Sequence, residues 1–149
     1  MSASCVGHKL WWWVYCGDYA PFRRNLKEYI AAFISTYQEY GGPKLDSKEL
    51  EMMVIITGLE QMMGLVSAVP QILKMCPSSE WPTIRDRYDR RIAENIDGKS
   101  SLRLYLHVMN TITRIIEEMK GDQVLEDWIE RVYVRRMKQT PKTDEVIFG

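Results

Sequence analysis

The stretch "LEMMVIITGLEQMMGLVSAVPQIL", residues 50–73, decides the fold. Leu50, Met53, Ile56, Leu59, Met63, Val66, Val69 and Leu73 recur at helical spacing, and Met52, Ile55, Met62, Leu65 and Ile72 fill the opposite side. A helix that is apolar nearly all round belongs in the centre of a bundle. Upstream, "LDSKEL" places Glu49 three residues after Asp46, a capping-box pattern that opens the helix. The helix is expected to run to about Met75, and Pro70, which removes one backbone hydrogen bond, predicts a kink or a split into two. Gly58 and Gly64 would let a neighbouring backbone come close, at a helix-propensity cost of about 1 kcal/mol each. The 22 residues from Met52 to Leu73 have the length of a bilayer span. Glu60 in their middle, Pro70, and the lack of flanking basic clusters argue against a membrane. A carboxylate buried in such a helix must be paired or protonated. Glu60 therefore faces a pocket or pairs with an arginine of a neighbouring helix.

Other helices surround this one. Between Pro21 and Tyr40, Phe22, Leu26, Tyr29, Ile30, Phe33, Ile34 and Tyr37 share one helical face. Asp18 is a candidate cap, Pro21 suits the first turn, and Gly41–Pro43 ends the segment. A charged helix is expected from Trp81 to Asn95, with the stripe Trp81, Ile84, Tyr88 and Ile92. Asp97-Gly98 then turns the chain, and Ser100 or Ser101 caps a long helix bearing Leu102, Tyr105, Leu106, Met109, Ile112, Ile115 and Met119. Gly121 closes it, and Asp122 caps a last helix with Val124, Leu125, Trp128, Ile129, Val132 and Tyr133 inward. Residues 139–149 read as a polar tail, leaving 1–138 as one domain. The class is all-α: five to six helices around a central apolar one. Only the aromatic run "LWWWVYC", residues 10–16, has strand composition.

Composition closes off several functions. The chain has 149 residues, 20 basic and 20 acidic, so no net field steers it toward nucleic acid or anionic lipid. Arg85, Arg87, Arg90 and Arg91 cluster, but Asp86 and Asp89 alternate with them, the pattern of a salt-bridged face. The three cysteines, Cys5, Cys16 and Cys76, are odd in number and sparse, which favours a reducing, cytoplasmic setting. Cys5, His8 and Cys16 supply at most three zinc ligands, and neither Cys76 nor His107 has a spacing that adds a fourth. No metal and no cofactor is expected. "DGKSS", residues 97–101, lacks the glycine five positions upstream that a phosphate-binding loop needs; Ala93 stands there, after a charged helix. His107, between Leu106 and Val108, reads as structural, and no nucleophile–base signature accompanies it.

Trp11, Trp12 and Trp13 are consecutive. In a strand they would point to both faces, and in a helix they would cover about 200° of arc. Either way the segment asks for protein on more than one side. Indoles and phenols are favoured where an apolar body meets a polar tip, as in binding hot spots. Trp11, Trp12, Trp13, Tyr15, Asp18 and Glu60 are therefore the candidate binding residues.

The order of an aromatic segment, "PFRRNLKEYIAAFISTYQEYGG" (residues 21–42) and "LDSKELEMMVIITGLEQMMGLV" (residues 45–66) resembles the C-terminal helical part of aminoglycoside/choline phosphotransferase-like kinases. The likeness spans Leu10 to Tyr133. It implies a helical lobe packed behind a substrate cleft. Such kinases also carry a nucleotide-binding β-lobe and a His-Gly-Asp catalytic loop, and nothing in this sequence matches that loop. Asp18, in "CGDYAP", is the one acid in the aromatic segment, and its context does not identify a metal ligand. No catalytic residue carries over. The expectation is a non-catalytic helical binding domain, with a protein partner, a missing lobe or a small-molecule ligand near residues 11–13 and the Met-rich helix. The alternatives are a shortened or split phosphotransferase that needs another polypeptide, and a structural subunit of a larger assembly.

Overall fold

A computed structural model describes residues 3–134 and 137–138 of the chain. The segment read as a tail, 139–149, lies outside the described residues, as do the side chains of Cys5 and Val132. Among the described residues there are seven α-helices and no strand: α1 (Ala3–Val14), α2 (Tyr19–Glu39), α3 (Ser47–Val66), α4 (Val69–Met75), α5 (Arg90–Ala93), α6 (Leu102–Met119) and α7 (Gly121–Trp128). Short 3-10 turns occupy Trp81–Thr83 and Ile96–Ser101, and a wide π-type turn continues α7 over Ile129–Val134. The fold is an all-α bundle.

The aromatic run is helical rather than extended. Val6, Leu10 and Trp11 form a buried stripe on α1, at offsets of four and five residues. That stripe lies on α3, and tertiary packing outweighs the modest helix propensity of indoles. The two helices meet at complementary points. A Cβ on Gly7 would stand 2.5 Å from the Met53 Cβ, so only a glycine allows this approach. The Trp11 ring in turn covers Gly58, where a Cβ would stand 2.9 Å from Cη2. Because Gly7 meets Met53 and Trp11 meets Gly58, α1 and α3 run in the same direction, with α2 as the return between them.

The apolar central helix is central only in its first half. The Asp46 side chain accepts the Glu49 N–H at 2.9 Å, and α3 then packs against α1, α2, α6 and α7. Leu50, Val54, Ile55, Thr57 and Gly58 are buried, whereas Met63 and Val66 are exposed. The helix ends at Val66, the residue whose carbonyl the Pro70 ring would strike if the helix continued. Pro70 instead sits in the first turn of α4, whose axis departs from α3 by 62°. No single described helix is long and apolar enough to cross a membrane, although this bent pair has the length and composition together.

Residues 77–101 depart from expectation. Instead of one charged helix over 81–95 there are two short turns of helix and a meander. Pro82 lies within the first turn, and the Asp86 and Asp89 carboxylates accept the N–H groups of Tyr88 and Arg91. Short acidic side chains that bind nearby amides compete with helix. Part of the charge in this segment is gathered into a network around Arg91 and Lys99. Arg91 bonds Asp89, Glu80 and Thr83, and buried Lys99 reaches Asp97 at 3.3 Å and Glu80 at 3.6 Å. The Asp89 carboxyl, hydrogen-bonded by Arg91, is held down to about 2. Ile72, Cys76, Ile84, Ile92 and Leu102 form a second small core under this network.

Capping details also differ. Ser101 stands at the N-cap of α6, but its side chain makes no capping hydrogen bond; just upstream the Asn95 side chain accepts the Ser100 N–H at 3.0 Å, and Asn95 itself has a left-handed φ of 53°. Lys120, not Gly121, takes the left-handed conformation that ends α6. Asp122 stands within the first turn of α7 rather than before it. Leu125, Ile129 and Tyr133 are exposed, so the last helix presents much of its apolar side outward.

Candidate functional site

The segment that joins α1 to α2 carries the site. Trp11 is 1 % exposed; its Nε1 donates to Gln61 Oε1 at 2.6 Å, and its ring stacks on Tyr15 and meets Phe22 edge-on. Tyr15 is also buried, and burial raises its phenol above the ordinary value. These two residues are core. Trp12 is 47 % exposed, contacts the exposed His8 and packs edge-on against Tyr15. Trp13 is 76 % exposed, because one further helical step turns it away from α3.

Trp13 forms one rim of a groove of about 630 Å³. Leu10, Val14, Pro21 and Phe22 make its inner end, and Tyr29, Phe33, Thr36, Tyr37 and Tyr40 continue it along α2. From Pro21 to Tyr40 the groove follows α2 for about 28 Å at the helical rise of 1.5 Å per residue. Phe33 and Tyr37 stack at 5.8 Å, and Tyr40, at the helix end, is 87 % exposed. Spacing of four, four and three residues from Tyr29 to Tyr40 puts these rings in one line. The helical spacing puts Tyr29, Phe33 and Tyr37 on the same face as Phe22, Leu26 and Ile30. In the fold that face is shared: Phe22, Leu26 and Ile30 turn inward, and the rings flank the groove.

Asp18 lines the groove and also lines a second, polar cleft. Its side chain does not cap α2. Asp18 Oδ1 instead accepts Arg87 Nη2 at 2.6 Å and the Tyr88 hydroxyl at 3.2 Å, and Arg87 Nη1 donates to the Cys16 carbonyl at 3.1 Å. The wall between the two cavities is therefore a hydrogen-bonded ion pair. Behind it, His107 Nε2 lies 2.6 Å from the Tyr15 carbonyl. A carbonyl only accepts, so Nε2 carries the proton. Burial pushes the imidazole below its ordinary value, which makes His107 a neutral structural residue there.

Glu60 does not join this site. It is exposed on α3 and has no ion-pair partner among the described residues, because the second half of that helix has left the bundle centre. The carboxylate needs no compensation in water. The six candidates thus separate into two core residues, Trp11 and Tyr15, two at the groove, Trp13 and Asp18, and two elsewhere, Trp12 beside His8 and Tyr15 and Glu60 on α3.

Among the described residues no three His, Cys, Asp or Glu side chains converge to hold a metal ion. Set against known protein families, curated proteins and solved structures, the chain has no match.

Proposed function

We propose that this chain is a helical binding domain, not catalytic by itself, whose groove along α2 receives an apolar segment of a protein partner. The observation that carries this reading is the continuous line of rings from Trp13 through Tyr29, Phe33 and Tyr37 to Tyr40 beside an apolar floor. A groove extended over about 28 Å of helix suits a helical segment laid lengthwise better than a compact metabolite. Exposed Trp and Tyr are the side chains that most often anchor such contacts. The free thiols of Cys16 and Cys76 agree with a reducing, cytoplasmic location.

The experiment is site-specific photo-crosslinking in the native cell, with the photoreactive group at position 13, at position 40, or at Lys48 as a distant surface control. The reading expects one common adduct from positions 13 and 40, lost on Tyr37→Asp and absent from position 48. No adduct, or equal labelling from all three positions, refutes it.

A second reading follows from the order of the aromatic segment, α2 and α3, the same order that resembles the helical part of phosphotransferase-like kinases. In it the occupant of the groove is a nucleotide-binding lobe on another polypeptide, and the complex transfers phosphate. Phosphoryl-transfer activity in the isolated crosslinked pair, and none in either chain alone, distinguishes it from simple docking.

A further inference from the structure

The polar cleft on the far side of the Asp18–Arg87 wall is a site of a different kind. It encloses about 430 Å³ between the start of α2, the 84–88 segment and α6. Arg85, Arg87 and Arg114 all line it, with Asn110 and Thr113. Their charges are not fully balanced. Asp18 is taken up by Arg87, and the Asp86 carboxylate accepts the Tyr88 N–H at 2.8 Å. Glu118 is shared, accepting Arg23 Nη1 and Arg114 Nε, both at 2.9 Å. Arg85 has no ion-pair partner among the described residues. Three guanidinium groups, Arg85, Arg87 and Arg114, thus line the cleft against two carboxylates, Asp18 and Asp86.

Geometry adds to charge. The Arg114 guanidinium is spread over the Tyr19 ring, 4.1 Å from its centroid, and only its Nε is engaged by Glu118, so its terminal N–H groups remain available. A planar guanidinium held against a ring loses little freedom on binding a further oxyanion. Trp81, Leu106 and Met109 supply an apolar wall beside these donors. A few convergent polar groups against an apolar wall in such a volume is the usual form of a small-ligand site.

We infer that this cleft binds a small phosphorylated compound through its phosphate, with Arg85 and Arg114 as the paired recognition groups. The site differs in kind from the groove, with which it shares Asp18: its ligand is a soluble oxyanion, and beyond the start of α2 its walls come from α6 and the 84–88 segment.

Inorganic phosphate serves as the probe, titrated calorimetrically into the full chain at constant ionic strength, with chloride as the reference salt. Saturable binding is expected. Arg85→Gln with Arg114→Gln should weaken it at least tenfold, and Arg103→Gln, outside the cleft, should change it less than twofold. Arg114→Lys, which keeps charge but loses the flat fork, should fall between them. Arg85→Gln alone, a change at an exposed position, guards against loss of the Arg114–Tyr19 packing and should weaken binding several-fold. Heats indistinguishable from those of chloride, or affinity unchanged in Arg85→Gln and in the double variant, overturn the inference.

Discussion

Trp11→Ala and Trp13→Ala should have opposite consequences although the two residues are separated by a single position. Trp11 is 1 % exposed, stacks on Tyr15, meets Phe22 edge-on and fills the space left by Gly58. Truncating it removes an indole that buries up to roughly 250 Å² and leaves a cavity that rigid helix backbones cannot close. It also leaves Gln61 Oε1 without its donor at 2.6 Å. Large aromatic-to-alanine changes in cores cost about 3–5 kcal/mol. A domain of this size has about 5–15 kcal/mol in total, so the variant should be marginal at 25 °C. Trp13 is 76 % exposed, so most of its surface is already in water, and its loss should cost less than about 1 kcal/mol. Partner crosslinking should respond the other way, falling for Trp13→Ala and persisting for whatever folded fraction Trp11→Ala retains. Urea unfolding followed by circular dichroism gives the first quantity, and crosslinking yield at position 40 gives the second. If the two variants lose equal stability, the rim assignment is wrong and Trp13 is core. If Trp11→Ala unfolds at wild-type urea concentrations, α1 does not dock on α3 as described.

Three other outcomes are expected. Gly7→Ala should gain about 1 kcal/mol of helix propensity and lose more to the clash with Met53, a net destabilisation of about 1–2 kcal/mol in thermal or urea melts, whereas Gly64→Ala, with open space around its Cβ, should stabilise. A double-mutant cycle on Asp18→Asn and Arg87→Ala should return a coupling below about 1 kcal/mol, because the Asp18 carboxylate is 59 % exposed, and a larger value would mean that the wall is sealed from water. His107 has a folded-state value below its ordinary 6.5, so the unfolded chain binds the proton more readily. Its contribution is present above about 6.5 and is lost as pH falls through the depressed value. His107→Gln should flatten stability over that window, and an unchanged slope would refute the assignment.

What the sequence made legible, and what it did not, follows from the range of the forces involved. The bundle was readable because period and capping are local: Phe22, Leu26 and Ile30 define the inner face of α2, and Asp46 with Glu49 opens α3 as the spacing requires. The 81–95 helix was not, because its stripe survives in the fold without the helix; Ile84 and Ile92 are buried while Asp86 and Asp89 hold the chain in turns. Periodicity alone cannot weigh those side-chain bonds against one more turn of helix. The tryptophans show the same limit more sharply. Composition marks residues 11–13 as needing cover, but which indole receives it depends on the phase of α1 against α3. That phase is set by Gly7 against Met53 and Gly58 against Trp11, pairs nearly fifty residues apart in the chain. Once those two glycines fix the phase, Trp11 has to be core and Trp13 has to face the groove. A glycine-to-alanine change at position 7 should therefore disturb crosslinking at Trp13 as well as stability, because the rim is positioned by the helix contact beneath it.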